Sequence, residues 1–368
     1  HTNAATTMTT TRKLLTVTIT LTIAAYIRHR RFTHGVYQTL SSLLLYWFRR
    51  RFLSSNTASA IADIKAKQEI VQHPDGEESI VWWSPATIPA TTSKHLFVVL
   101  PGGMKSGDAS YVWEAIIDVN LFEHHPFVIF HNPGINNLCK QRSPSGLTEV
   151  LYLEHFIDLL RYRGFKVSLV GFSAGSMLAI KMCGKSPEKV ECAVAIHGPD
   201  KIRHVMEYHQ QCWTRLDILF ARSLAVTMIK SGCTIFLNQS EGGGLEKEWL
   251  PWWSGWAWMM SYTEKCFHSN WHDMEEEYWS CTDVMETPMR TPVFRVLSEN
   301  DPIVPLETIN HTLFPNLDRV VIQTELEDGG GGHCAAFHFD NGKLARTLKE
   351  WYEEIFAREE KLVCDRYQ

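Results

Sequence analysis

A doubly wound, mostly parallel α/β sheet is the architecture this sequence predicts, for three reasons. Continuous apolar runs such as His95 to Leu100 (HLFVVL) and Phe127 to Phe130 (FVIF) suit strands buried on both faces. Each run is stopped by turn-forming residues, Pro101-Gly102-Gly103 after the first and Asn132-Pro133-Gly134 after the second. Segments with helical spacing alternate with the runs, as crossover connections between parallel strands require.

Along the chain, Ser79 to Trp83 (SIVWW) reads as an early strand, ahead of the two runs just named. Leu147 to Tyr162 has helical spacing, and Gly164 closes it. Lys166 to Val170 (KVSLV) forms the next strand and runs into Gly171-Phe172-Ser173-Ala174-Gly175, with a helix continuing from Met177 to Cys183. Ala193 to Ile196 (AVAI), Pro292 to Leu297 (PVFRVL) and Arg319 to Gln323 (RVVIQ) complete the sheet. Leu344 to Phe356 supplies a final amphipathic helix.

Residues 201–286 break the alternation: they are helical in flavour and rich in tryptophan, with Trp213, Trp249, Trp252, Trp253, Trp256, Trp258, Trp271 and Trp279. Inserted between two core strands, they are expected to cap the carboxyl ends of the sheet, where ligands bind in open α/β folds. An aromatic surface there would suit an acyl chain. Packing of cap on core accounts for many such rings as well. The expected organisation is a leader over 1–67, a core over 68–200 and 287–368, and a helical cap over 201–286. A total of 368 residues fits one large domain with an insertion better than two full domains.

The leader differs from the rest. Leu14 to Ile27 is apolar apart from threonines and is flanked by Arg12 and Lys13 before it and Arg28, Arg30 and Arg31 after it. A second apolar stretch, Leu43 to Phe48, precedes Arg49, Arg50 and Arg51. Apolar runs set against arginines suit a membrane surface or a short anchor. The first stretch makes only about 21 Å of helix, short of the ~30 Å hydrocarbon core. The sequence opens on His1, so more of an anchor can precede it. A membrane-associated protein held by this segment is the expectation; without an anchor, the expectation is cytoplasmic.

A formal net charge of -5, with no long Lys/Arg tract, gives no reason to expect a nucleic-acid partner. Nine cysteines, an odd number without CxxC pairs, argue against a disulfide framework and a zinc ribbon and for free thiols.

The chemistry concentrates at three places. Gly171-Phe172-Ser173-Ala174-Gly175 is a GxSxG sequence between an apolar strand and a helix, where a nucleophile elbow must sit. Ser173 is the candidate nucleophile, and a serine hydroxyl needs a base. In this arrangement the acid and then the histidine follow on loops after late strands. Asp301, in Ser298-Glu299-Asn300-Asp301-Pro302 at the end of PVFRVL, is the candidate acid, with Glu299 as competitor. His333 follows RVVIQ and the glycines 329–332, and it is the candidate base ahead of His338 and His311. An oxyanion hole needs two N–H groups. Ala174 should supply one, and the loop after HLFVVL the other, through Gly103 or, as the close alternative, Met104.

With these pieces the chain resembles the YheT-like branch of the α/β hydrolases (AB hydrolase family four). The branch includes bacterial esterases, plant embryogenesis-associated hydrolases and animal membrane-anchored phospholipase-like members. The matching residues are Leu100 to Gly103 (LPGG), Ser110-Tyr111, GFSAG at the elbow, Asn300-Asp301-Pro302 and Gly332-His333, within about Gln68 to Tyr352. The chain departs from the branch at Pro133, where arginine is usual between the asparagine and the glycine, and at Ala174, where leucine is usual. The resemblance implies the α/β-hydrolase fold and a serine esterase or lipase acting through a Ser-His-Asp triad and an acyl-enzyme. The implied substrates are lipid-type esters: acylglycerols, phospholipids or medium-chain fatty esters. It implies no metal and no nucleotide cofactor.

Two other readings stay open. The acyl group can pass to an alcohol, making the protein an O-acyltransferase; the HxxxxD pattern of His268 and Asp273 points weakly that way. Or the fold can serve as a non-catalytic binding protein.

Overall fold

The computed structural model describes residues 33–37, 67–84, 94–102, 112, 121–122, 125–133, 150–212, 279–324, 327, 331–333, 336–337 and 342–366. Eight strands form one sheet: β1 (Lys67–Gln72), β2 (Glu78–Ser84), β3 (His95–Leu100), β4 (Phe127–His131), β5 (Lys166–Phe172), β6 (Ala193–Ile196), β7 (Val293–Ser298) and β8 (Arg319–Gln323). Their order across the sheet is β1-β2-β4-β3-β5-β6-β7-β8. β1 and β2 pair antiparallel, and β2 pairs antiparallel with β4. All remaining pairs are parallel.

The apolar runs sit where burial on both faces demands them. β3, β4 and β5 are almost wholly buried, and both sheet faces are covered. One face takes helices α1 (Val150–Tyr162) and α2 (Ala174–Lys185). α1 presents Leu153, Phe156, Ile157 and Leu160 to the sheet at helical spacing. Burying each such side chain contributes about 1.5–3 kcal/mol. α2 is buried on nearly every side from Ala174 to Cys183, because it lies between the sheet and a neighbouring element. The other face is covered by the C-terminal helix, which brings Leu344, Leu348, Trp351, Tyr352 and Ile355 against Phe97, Ile129, Phe172 and Phe294.

Between β6 and β7 two further helices are described, α3 (Ile202–Gln211) and α4 (Thr282–Met285), and the C-terminal helix is α5 (Lys343–Arg366). Lys201 and Ser280 form an antiparallel bridge, and the Cys281 N–H donates to the Asp200 carbonyl at 2.8 Å. The chain therefore leaves the sheet and returns to it at adjoining points. Residues 213–278, with seven of the eight named tryptophans and the His268/Asp273 pattern, lie outside the described residues; Trp279 is buried. Among the described residues, Cys183, Cys192, Cys212 and Cys281 are free thiols.

The expected membrane-associated localisation is corrected. Among the described residues no helix is long and apolar enough to cross a membrane. Both stretches that suggested an anchor lie outside those residues, and the first falls short of the hydrocarbon thickness by length alone.

Strand register places the chemistry. Leu100 lies opposite Gly171, Phe172 opposite Ile196, Ile196 opposite Val296 and Ser298 opposite Gln323. The carboxyl ends of β3, β5, β6, β7 and β8 thus share one edge.

Candidate active site

At the end of β5 the backbone turns sharply. Ser173 has φ 51° and ψ -120°, a conformation that a side chain disfavours and that the surroundings must hold. They do so tightly. A Cβ on Gly175 would lie 2.1 Å from the Leu100 carbonyl oxygen, and one on Gly171 2.2 Å from the Gly175 oxygen, so only glycine fits either side of the serine. The Ser173 N–H donates to the Ile196 carbonyl at 2.9 Å, tying the turn to β6.

Asp301 follows β7 and is almost fully buried. Its Oδ1 accepts the backbone N–H groups of Ile303 (2.8 Å) and Val304 (2.9 Å). His333 Nδ1 lies 2.8 Å from Oδ2 and 3.1 Å from Oδ1 of Asp301. A carboxylate only accepts, so Nδ1 carries the proton and Nε2 is left as an acceptor. The Ser173 hydroxyl is 3.1 Å from Nε2 and can donate to it. One imidazole thus bridges a hydroxyl just after β5 and a carboxylate after β7.

The competing residues stand apart from this bridge. Glu299 pairs through its backbone N–H with the Gln323 carbonyl, and His311 packs on the ring of Phe314. His338 lies outside the described residues, as do Gly103 and Met104. Pro101 leaves β3 against the elbow, since the Gly175 position touches both the Leu100 and Pro101 carbonyls. Ala174 begins α2, and its amide is among the first-turn N–H groups that have no acceptor within a helix.

Several supporting residues escaped sequence reasoning. Asn300 Oδ1 accepts from the Ser298 hydroxyl (2.7 Å) and from the amides of Gly331 (3.1 Å) and Gly332 (3.0 Å). It thereby ties the loop bearing Asp301 to the loop bearing His333. Gln323 Nε2 donates to the Ala336 carbonyl at 2.8 Å, beyond His333 on the same loop. Asn300 sits beside the acid in the sequence, but nothing in an asparagine's type announces an acceptor for a distant glycine pair. Residues 33–37 are helical, and their buried Gly35 lies on the acid loop: a Cβ there would fall 1.6 Å from the Asn300 carbonyl oxygen.

A second imidazole adjoins the bridge. His197, directly after β6, is fully buried, with its ring centroid 6.4 Å from that of His333. Burial drives its pKa down to about 4; the nearby Asp301 opposes this and His333 adds to it. At neutral pH the ring is uncharged.

The comparisons with known proteins bear on the fold. A family model described as alpha/beta hydrolase fold matches residues 95–339. Among solved structures, a membrane phospholipase A described as a bacterial virulence factor is similar at 16% identity and a TM-score of 0.50, over 89% of this chain and 99% of that one. An esterase of Pyrococcus furiosus is similar at 13% identity and a TM-score of 0.49, over 78% of this chain and 92% of that one. No curated protein matches the sequence.

Proposed function

Because the chain belongs to the alpha/beta hydrolase fold family, we propose that it is a serine carboxylic-ester hydrolase with Ser173 as nucleophile, His333 as base and Asp301 as the residue that orients the base. The observation that carries this reading is the imidazole bridge, 3.1 Å to the hydroxyl and 2.8 Å to the carboxylate. Nε2 takes the hydroxyl proton as the Ser173 oxygen attacks the ester carbonyl, and Asp301 stabilises the imidazolium that forms. The Ala174 amide, with Gly103 or Met104 as its partner, stabilises the tetrahedral oxyanion. The imidazolium then returns its proton to the departing alcohol, leaving an acyl-enzyme that water cleaves by the same proton path.

Lipid-type esters, meaning acylglycerols, phospholipids or medium-chain fatty esters, are the proposed substrates. Support for that class is the likeness of Leu100 to Gly103, the GFSAG elbow and Asn300 to Pro302 to the YheT-like branch.

A fluorophosphonate probe on wild type and Ser173→Ala, with esters of graded chain length as competitors, tests the reading. Labelling of wild type alone, blocked by the preferred ester, is expected. No label on wild type, or equal label on Ser173→Ala, would sink it. In ethanol, free acid should exceed ethyl ester among the products; the reverse would make acyl transfer the main reaction.

A further inference from the structure

Among the described residues only two that are not glycine adopt positive φ, and they stand at the ends of adjacent strands: Ser173 after β5 and His197 after β6, each at 51°. Strain of this kind costs about 1–3 kcal/mol per residue and persists where the surroundings over-determine it, often at functional sites. The ester-hydrolase reading uses the strain at Ser173 and leaves that at His197 without a purpose.

The contacts of His197 and its neighbour supply one. A Cβ on Gly198 would lie 2.7 Å from the Ser173 carbonyl oxygen and 1.7 Å from Ser176 Oγ, so this backbone abuts the elbow. On the other side, a Cβ on Gly331 would lie 3.1 Å from His197 Cε1 and 2.3 Å from Gln323 Oε1. The loop that carries His333 therefore rests on the His197 ring and on Gln323. The His197 N–H donates to the Val296 carbonyl at 2.8 Å, which fastens the residue to β7, the strand that leads to the acid. Two consecutive residues thus touch the nucleophile turn, the base loop and the acid strand.

We propose that His197 is a positioning residue for ester hydrolysis: its buried ring is the floor under Gly331, and with Gly198 it sets the separation between Ser173 and the His333 ring. The inference rests on the ester-hydrolase reading and adds to it a residue that touches no reacting atom. Its reach follows from geometry, because proton transfer needs the hydroxyl and Nε2 within about 2.6–3.2 Å. A 1 Å misplacement from a remote change can cost about 10²-fold in rate. An uncharged ring also suits the place, since it puts no second positive charge beside the imidazolium formed on His333.

The test uses the full chain and a p-nitrophenyl ester of medium length. Sites are counted by fluorophosphonate titration to completion, so that kcat refers to competent protein. His197→Asn tolerates the same backbone conformation but withdraws the ring; His197→Phe keeps a ring. The expected result for Asn is a fall in kcat of about 10- to 100-fold with KM within about twofold. Phe should keep kcat within about fivefold of wild type. An Asn variant with kcat within about threefold of wild type, or with its loss confined to KM, overturns the inference. Should the Asn variant yield no titratable sites, the Phe variant decides: a fall of about tenfold or more per site overturns it too. Wild type that neither labels nor hydrolyses overturns the ester-hydrolase reading itself, and this inference with it. An active wild type with indifferent variants overturns the inference alone.

Discussion

Asp301 shows how much a single side chain is asked to do. Its carboxylate accepts from two backbone amides and from the His333 ring, and each donor limits where it can point. Asp301→Asn keeps the shape but replaces an accepting oxygen with an NH₂ group, which favours the imidazole tautomer with its proton on Nε2. That tautomer cannot take the serine proton. The expected outcome is a loss of about 10⁴-fold in kcat with KM little changed, measured on one ester with the unfolding midpoint followed in parallel. Asn300 acts one step back. Asn300→Ala removes the shared acceptor of Ser298, Gly331 and Gly332, and leaving a buried donor unpaired costs about 1–3 kcal/mol. A lowered denaturation midpoint, with kcat falling less than in Asp301→Asn, is the result that fits.

The β1–β2 hairpin carries an element-scale prediction. His73, in its turn, is buried with Nε2 2.7 Å from Ser79 Oγ and Nδ1 3.0 Å from His155 Nδ1. Burial, and then His155, push its pKa from 6.5 to about 4, while Asp75 pulls the other way. The folded protein therefore binds this proton less readily than the unfolded chain. The stabilisation is complete above about pH 6.5 and is lost as pH falls toward 4. His197 titrates in the same window. The unfolding midpoint should drop between pH 6.5 and 4, and His73→Gln should reduce that slope without removing it.

Elements were legible where burial dominates. His95 to Leu100, Ala193 to Ile196 and Arg319 to Gln323 are strands over those very residues, since a continuous apolar run between turn signals leaves little choice. The helix expected from Leu147 is described from Val150, and the one expected to end at Phe356 reaches Arg366. Helix ends depend on polar residues that the apolar period does not rank. β1, Lys67–Gln72, does not stand out in the sequence. Its edge position relieves it of the apolar pattern, and what marked it was the Pro74-Asp75-Gly76 turn. The meeting of Ser173, Asp301 and His333 was legible because strand ends announce such positions. Asn300, Gln323 and His197 were not, because their work is with residues distant in sequence.

At the scale of the whole molecule, Arg295 and Asp200 form an ion pair at 2.5 Å with neither side chain exposed. Arg295 also donates to the Gly198 carbonyl at 3.0 Å, and Asp200 Oδ2 accepts the Asn310 N–H at 2.7 Å. One pair thus joins β7, the exit of the chain after β6 and the turns that follow Asp301. Arg295→Leu strands a buried carboxylate and should cost about 3–5 kcal/mol. The double variant Asp200→Leu/Arg295→Leu should cost less than the sum of the two single changes. Urea denaturation of the four proteins checks this, and strict additivity would mean that the two charges act independently.

Gly35 sits 265 positions before Asn300 in the chain yet leaves no room for a methyl group between them. A protein trimmed to begin after residue 66 would retain every described strand while removing Gly35 from the carbonyl next door to Asp301. Residues 33–37 are thus no inert appendage: whatever displaces them acts within two peptide units of the Asp301 carboxylate.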